Sequence, residues 1–242
     1  MIRCLLLLAT AAWAAGSELD LGRQAQLRGD SEDALRHFLA AERQDPTDPA
    51  ALQGLARQYS DLSDFQPTTA ERRRYAQLAL DYSERADRAQ PNHADHVLSI
   101  AIAYGKLSLY SDISEKVKYS RVILEDAERA EQLDPKYAWA HHVIGRWNYE
   151  VVRLNGAARL LVRWFLGGLP PGSLDKAIAE LKEATRLEPG EPVHWIDLGY
   201  VYAYAGDPAQ ARACWLRGLH TPGTQRYQLE AKAHVRKALA RD

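Results

Sequence analysis

Prolines recur along the chain directly after apolar segments of helical periodicity, and their spacing is the feature that most constrains the fold. Four of them are Pro46, Pro91, Pro135 and Pro189, with 45, 44 and 54 residues between successive members. Because proline cannot continue a helix, each is expected to follow the end of a helix and to force a turn. Such a regular recurrence indicates a chain built from repeated helical units.

The last unit contains the clearest signature. The run from Trp195 to Tyr202 reads W-x2-L-G-x2-Y, the first-helix pattern of tetratricopeptide repeats. Gly199 and Ala211, twelve positions apart, supply the small side chains at which two helices can cross closely. Gly22 and Ala34 near the N-terminus have the same separation. The chain therefore resembles the tetratricopeptide proteins in two distant segments.

This resemblance implies an all-α fold, a right-handed tetratricopeptide-type α-solenoid with lengthened middle repeats and a C-terminal capping helix. The expected boundaries of its five repeats are about 15–48, 49–93, 94–137, 138–191 and 192–225, within one domain of residues 15–242. A capping helix is expected at residues 224–240. The middle repeats exceed the standard 34 residues, and we expect each insertion between the two helices of its own repeat.

The N-terminus has the pattern of a secretory signal. Arg3 precedes the apolar run Leu5–Leu8, and small residues follow at Ala12 and Ala14. This arrangement predicts a signal peptide at residues 1–14, and the apolar run is shorter than the roughly 20 residues that span a bilayer. We therefore expect an exported protein, periplasmic or secreted, with an uncleaved membrane anchor as the alternative.

Composition and motifs exclude several function classes. The formal net charge is −1 and the isoelectric point is about 6.7, so the chain has no overall attraction for nucleic acid. The sequence contains no phosphate-binding loop, dinucleotide fingerprint, nucleophile elbow, zinc-protease motif or calcium loop. We therefore expect neither enzymatic activity nor a cofactor.

The histidines are too dispersed in sequence to predict a metal site. His93 and His96 form one pair and His141 and His142 another, whereas a metal site needs three or four converging ligands. We expect these side chains to cap helices or to line a groove, with no metal bound.

The first helices of the repeats are expected to line the concave surface. The side chains predicted to face it are Arg57, Lys106, His142, Arg146, Tyr149, Tyr200 and Tyr204. Arginine and tyrosine are enriched in binding hot spots, and the cations could take a carboxylate or a peptide C-terminus. We expect a protein or peptide partner, with a solvated inner face as the alternative; the sequence leaves the oligomeric state open.

The insertion Val151–Leu169 is unusually apolar. Its basic and aromatic residues are Arg159, Arg163, Trp164 and Phe165. This composition is compatible with contact to an anionic membrane or a partner, but we favour packing over its own repeat, with the arginines at the rim. If the insertion is a lid over an apolar pocket beneath Leu160–Leu166, the protein is expected to carry a small apolar ligand or lipid. An open polar groove would favour a scaffold.

A more specific resemblance rests on five ordered blocks. They are Gly105–Leu107, Ser114–Lys118, Leu133–Pro135, His141–Glu150 and Phe165–Pro170. Between about residues 79 and 219 the chain resembles the regulator of microtubule dynamics family. That family's association with microtubules and with mitochondrial or endoplasmic reticulum contacts implies a cytoplasmic or mitochondria-associated regulator. The export signal points elsewhere, since an exported chain would not meet a microtubule. We therefore expect a non-catalytic scaffold, and keep the family's role as an alternative.

Overall fold

A computed structural model of the chain describes residues 16–165 and 167–240, and within these ranges it contains twelve α-helices and no strand. The helices are α1 (Glu18–Arg28), α2 (Ser31–Gln44), α3 (Pro49–Ser63), α4 (Thr69–Ala89), α5 (Ala94–Ser108), α6 (Ile113–Leu133), α7 (Ala138–Val152), α8 (Gly156–Phe165), α9 (Leu174–Leu187), α10 (Pro192–Tyr204), α11 (Pro208–His220) and α12 (Arg226–Leu239). The predicted all-α fold is confirmed. The predicted signal peptide, residues 1–14, lies outside the described residues.

Local sequence explains where the helices begin and end. Thr68 and Glu71 form a reciprocal capping box at the start of α4, which satisfies two of the orphan N–H groups there. Ser173 accepts a hydrogen bond from the Lys176 amide and caps α9. At the end of α2, Asp45 is extended, with φ −138° and ψ 99°, because the following proline disfavours helical geometry in the residue before it.

The helices stack as successive pairs. Helices α1 and α2, α3 and α4, α5 and α6, α7 and α9, and α10 and α11 pack against each other, and each pair contacts the next. Helix α12 packs on α10 and α11 at the end of the array. This stacking forms the predicted α-solenoid, in which each unit buries its apolar face against its neighbours.

The extra residues of the middle units lengthen their second helices or form an additional helix. Helices α4 and α6 have 21 residues each, compared with 14 in α2. In the next unit the extra residues form α8, between the paired helices α7 and α9. No helix in the described part of the chain combines the length and the apolar character needed to cross a membrane.

Small residues set the helix crossings. The Phe38 ring lies against two glycines: a Cβ atom added to Gly22 would come within 2.8 Å of it, and one added to Gly54 within 2.6 Å. At the other end of the array, a Cβ atom on Gly199 would lie 2.4 Å from the Trp215 side chain. The aromatic rings thus occupy the space that the absent side chains leave, which brings neighbouring helices into close contact.

The end of the array returns to its beginning. Residues 222–228, which we call the C-terminal strap, follow α11, include the first residues of α12 and contact the first two helix pairs. Arg226 is paired with Glu32 at 3.1 Å, and its guanidinium lies 3.9 Å from the centre of the Phe65 ring. The strap therefore crosses the inner side of the solenoid and covers a space between the ends of the array.

Candidate functional site

An open cavity of about 730 Å³ lies between the strap and the first helices of the repeats. Its lining consists of Arg57, Asp95, Lys136, Tyr137, Ala138, Trp139, Leu187, Glu188, Glu191, Pro222, Gly223, Thr224, Gln225, Tyr227 and Gln228. Most of these side chains are polar or charged. We call this space the central cavity.

A second cavity of about 290 Å³ adjoins the first towards the N-terminal repeat. The two share Arg57 and Asp95, and the second is also lined by Gln26, Gln53 and His96 among others. Because they share these residues, the two cavities adjoin along the inner side of α3 and α5. An elongated ligand could therefore contact both.

Arg57 lies where the two cavities meet and is only loosely paired. Among the described residues its one ion-pair partner is Asp61, one helical turn away at 3.9 Å, and 42% of its side chain is exposed. Burial raises the pKa of Asp61, although the positive charge of Arg57 opposes this. One oxygen of Asp61 and the amide oxygen of Gln53 have no hydrogen-bond partner among the described residues. These acceptor atoms are buried, so this part of the cavity offers a ligand the donors of Arg57.

The rest of the cavity wall is held by internal hydrogen bonds. The Tyr137 hydroxyl donates to Asp95 at 2.6 Å, and burial, reinforced by this carboxylate, raises the pKa of Tyr137 well above its ordinary value. The Trp139 ring packs edge-on against His194 and Tyr227, with ring centres 4.7 and 6.2 Å apart. These contacts fix the aromatic side of the cavity.

Glu191 anchors the strap. This buried carboxylate accepts from the Tyr227 hydroxyl at 3.2 Å and from the Gln228 amide at 2.8 Å. It also accepts from the Val193 amide and thereby caps α10. Burial raises the pKa of Tyr227, and the nearby Glu191 charge adds to the effect. One side chain therefore joins the start of α10 to the segment that covers the cavity.

A second polar cluster lies between α7 and α10. Asp197 pairs with Arg146 at 3.0 Å and with His142 at 3.2 Å. Burial alone would raise the pKa of Asp197, but the Arg146 guanidinium and His142 outweigh it and hold the pKa below its ordinary value. His142 and the fully buried His194 lie 3.0 Å apart through their Nδ1 atoms, and His194 reaches Glu188 at 3.4 Å. The cluster thus extends to the edge of the central cavity.

The seven residues predicted for the concave surface divide into two groups. Arg57 and Lys106 lie on α3 and α5, where Lys106 is paired with Asp64. The other five lie on α7 and α10, and are His142, Arg146, Tyr149, Tyr200 and Tyr204. Lys106 and Arg146 are thus already matched by carboxylates of the chain itself.

Exposure differs sharply within the second group. His142 and Tyr149 are buried, and Tyr200 packs on Trp215 with ring centres 5.4 Å apart. Tyr204 is exposed and meets the edge of Tyr149 at 5.7 Å. The buried members support the wall and present little surface to a partner. A role for these residues in binding stays a prediction.

The sequence reasoning missed Asp95, Trp139, Glu191 and Tyr227. For the first two a signal exists: they stand 44 positions apart, the same interval as between Pro91 and Pro135, and so occupy one repeat position on successive first helices. The strap carries no comparable signal, because its contacts depend on how far the solenoid curves.

The insertion is described in part. Its helix α8 contains the buried Val162, and Arg121 of α6 donates to the Gly168 carbonyl at 2.6 Å, which ties the end of the insertion to the preceding repeat. The side chains of Arg159, Arg163, Trp164 and Phe165 lie outside what the structure describes. Their predicted role as a membrane or partner face therefore stays a prediction.

Comparison with solved structures supports the fold. The thermophilic TPR protein TTC0263 from Thermus thermophilus superposes with a TM-score of 0.69 and 24% sequence identity, over 92% of this chain and 97% of that protein. At this level of identity the similarity concerns the fold alone.

Comparison by sequence identifies the relatives. Regulator of microtubule dynamics protein 2 of Mus musculus is 24% identical over 187 residues, which cover 77% of this chain and 46% of that protein. The Homo sapiens protein of the same name is 26% identical over 135 residues, 56% of this chain and 33% of that protein. The chain thus spans less than half the length of these curated relatives. The sequence model of one family, described as regulator of microtubule dynamics protein 1-3, matches residues 21–241. The chain belongs to this family.

Proposed function

We propose that the chain is a non-catalytic adaptor that binds an extended segment of a partner protein in the central cavity and its neighbour. Repeat solenoids commonly use their concave surfaces for such binding. The carrying observation is Arg57, a partly exposed guanidinium where the two cavities meet, whose one ion-pair partner among the described residues lies 3.9 Å away. The carbonyl groups of a peptide backbone would accept hydrogen bonds from this side chain.

The chemistry of the wall supports a peptide over an apolar ligand. Pockets for small molecules are lined mostly by apolar and aromatic side chains, whereas this wall is largely polar and its aromatic part is confined to one side. None of the residues of the insertion 151–169 whose side chains the structure describes lines the cavity. The polar wall therefore argues against carriage of a small apolar ligand or lipid here.

The titratable groups of the wall have structural tasks. Glu191 accepts three hydrogen bonds, and Asp95 accepts the Tyr137 hydroxyl. Catalytic acids and bases need a free position for the proton that they transfer. Side chains that hold the strap and a neighbouring ring are therefore suited to shaping a binding surface.

Site-specific crosslinking tests the binding surface. A photo-crosslinking amino acid replaces Lys136, an exposed residue at the cavity rim, or Lys182, an exposed residue on α9 that does not line the cavity. We expect a discrete crosslinked partner from position 136 and none from position 182. The partner's crosslinked peptide, identified by mass spectrometry, defines the bound segment.

Charge reversal provides the second arm of the test. Arg57→Glu should abolish the position-136 crosslink, because the anionic side chain repels the carbonyl groups that the guanidinium would bind. Arg186→Glu is the matched control, since Arg186 is exposed and pairs only along its own helix with Glu183. A crosslink that persists in Arg57→Glu, or that is equally strong from position 182, contradicts the proposal.

The family suggests a second candidate, in which the chain acts on microtubules, since the relatives are named as regulators of microtubule dynamics. Cosedimentation of the full-length chain with assembled microtubules tests it directly. Loss of pelleting with Arg57→Glu would place the microtubule contact in the central cavity. Pelleting unaffected by that change would place it elsewhere on the chain.

We propose export for the N-terminus, on the strength of the pattern in residues 1–14. Mass spectrometry of the purified protein's N-terminus and fractionation of the cells test it. A chain that begins near Ala15 in the exported fraction supports export and rules out a microtubule partner in the same cell. An intact Met1 in the cytoplasm contradicts export and leaves the family's role open.

A further inference from the structure

Three potential metal ligands converge away from the central cavity. Glu131 on α6, His141 on α7 and Glu180 on α9 place one ligand atom each within 4.8 Å of the others. The three helices belong to neighbouring pairs of the solenoid, so the cluster lies across a junction between repeats. None of the three lines either cavity.

The orientation of the histidine is fixed by the backbone. Its Nε2 atom lies 3.0 Å from the Pro135 carbonyl, which accepts the Nε2–H bond and directs Nδ1 towards the carboxylates. Nδ1 is 2.8 Å from a Glu180 oxygen and 3.6 Å from a Glu131 oxygen. A backbone carbonyl that holds the far nitrogen is the usual outer support of a metal-bound histidine.

The two distances from the histidine Nδ1 atom suit a small dication after a minor adjustment. With bonds of about 2.0–2.2 Å to nitrogen and oxygen, the ligands of tetrahedral zinc lie about 3.3–3.5 Å apart. The distance from Nδ1 to Glu131 is already close to this, and the distance to Glu180 must open by about half an ångström. Glu131 is one-third exposed, so the ion can enter from solvent and keep water in the remaining position.

The charge of the cluster calls for a cation. Two carboxylates face the Nδ1 atom of one imidazole, so even a protonated ring leaves one negative charge unbalanced. The surrounding charges cancel in pairs, since Lys176 binds Glu128 at 3.0 Å and Arg186 binds Glu183. A dication would therefore balance the two carboxylates.

We propose that Glu131, His141 and Glu180 form a zinc-class divalent metal site that joins the third and fourth helix pairs of the solenoid. One imidazole nitrogen and two carboxylate oxygens form the protein's share of a tetrahedral site, with water as the fourth ligand. By linking three helices, the ion stabilises the junction and limits changes in curvature there.

The test uses the full-length protein, with any affinity tag removed, in isothermal titration with zinc chloride and with magnesium chloride. We expect saturable binding of one zinc per chain and at least tenfold weaker binding of magnesium, because nitrogen ligands disfavour that ion. Glu131→Gln should weaken zinc binding at least tenfold. The control Glu183→Gln, on α9 but outside the cluster, should change it less than twofold.

X-ray absorption of the zinc-loaded wild-type protein provides a readout that depends on no variant. We expect a single imidazole and oxygen donors around the ion. The proposal is overturned by the absence of saturable zinc binding or by a spectrum with two or more imidazoles. It is equally overturned if Glu131→Gln binds zinc as the wild type does and binding is lost on His93→Gln, which would place the ion at the stacked His93–His96 pair.

Discussion

The Gln225 side chain donates a hydrogen bond to the backbone carbonyl of Gln26 at 2.7 Å, although 199 residues separate the two. This contact joins the strap to the end of α1. Close by, the strap backbone at Thr224 approaches Gly29 so closely that a Cβ atom on the glycine would lie 2.6 Å from the Thr224 carbonyl oxygen. The strap therefore joins the two ends of the array beside the central cavity.

Loosening the strap should expose the cavity without unfolding the array. In the variant Gln225→Ala/Arg226→Ala, one backbone-accepting hydrogen bond, one exposed ion pair and one cation–π contact are lost, for a total of about 1–3 kcal/mol. Hydrogen exchange of residues 222–228 should accelerate, while α5 and α6 keep their protection. Arg236→Ala, at an exposed position of α12, is the control. Unchanged exchange in the double variant would show that the strap is held by other contacts.

The two glycines Gly199 and Gly105 should respond to alanine in opposite directions. At Gly199 the new methyl group would meet Trp215 at 2.4 Å and the Ala211 carbonyl at 3.1 Å, so Gly199→Ala should destabilise by about 1–3 kcal/mol. At Gly105, within α5, nothing lies within 4 Å, so Gly105→Ala should stabilise by about 0.5–1 kcal/mol through helix propensity. Urea unfolding of both variants measures the difference. A stabilising Gly199→Ala would contradict the close helix crossing.

Removal of the Asp197 carboxylate should lower the free energy of unfolding more than removal of the exposed Glu150 carboxylate does. Asp197→Ala leaves Arg146 and His142 without their shared partner in a buried setting, which should lower the free energy of unfolding by about 1–3 kcal/mol. Glu150 also pairs with Arg146 but is half exposed, and Glu150→Ala should cost about 0–1 kcal/mol. A double-mutant cycle with Arg146→Ala isolates the buried pair. Equal effects of the two single substitutions would show that burial adds nothing there.

His194 should make the protein less stable in mild acid. Burial lowers the pKa of His194 below its ordinary value of 6.5, and the hydrogen bond to Glu188 opposes this only in part. His142, Glu188 and Glu191 are the titratable groups around it. Below pH 6.5 and above the folded-state pKa, the unfolded chain binds the additional proton, so the free energy of unfolding falls as the pH falls through this window.

Two measurements check the His194 prediction. Nuclear magnetic resonance titration of the imidazole should give a pKa below 6.5, and urea unfolding across this pH range should have a smaller pH slope in His194→Gln than in the wild type. The exposed His234 supplies the control variant, His234→Gln, whose slope should match the wild type. A His194 titration at or above pH 6.5 would contradict the assigned effect of burial.

Features that depend on neighbours along the chain could be predicted from the sequence. The turn at Pro46 follows from the ring's restriction of the preceding residue, and the start of α9 follows from the capping side chain of Ser173. The close contact of Trp215 with Gly199 follows from the repeat signature W-x2-L-G-x2-Y, which is typical of one kind of helix crossing. The all-helical solenoid therefore follows from the sequence.

Features that depend on residues far apart in the chain could not be predicted from the sequence. The sequence identified Arg146 as a cation on a first helix, but its partner Asp197 lies 51 positions away on another helix. His141 was one member of a pair in sequence, whereas its spatial neighbours are Glu131 and Glu180. In both cases the partners are decided by which helix faces pack, a property that helical periodicity alone does not contain.

By itself the sequence determined the helices, their pairing and the class of fold, because periodicity, caps and proline turns act within a few residues along the chain. Only the tertiary structure decided the central cavity, the strap that covers it and the cluster across the third and fourth pairs. Each depends on the curvature that accumulates over successive helix crossings. Small differences in crossing geometry add up over twelve helices, so that Gln225 comes to rest against Gln26.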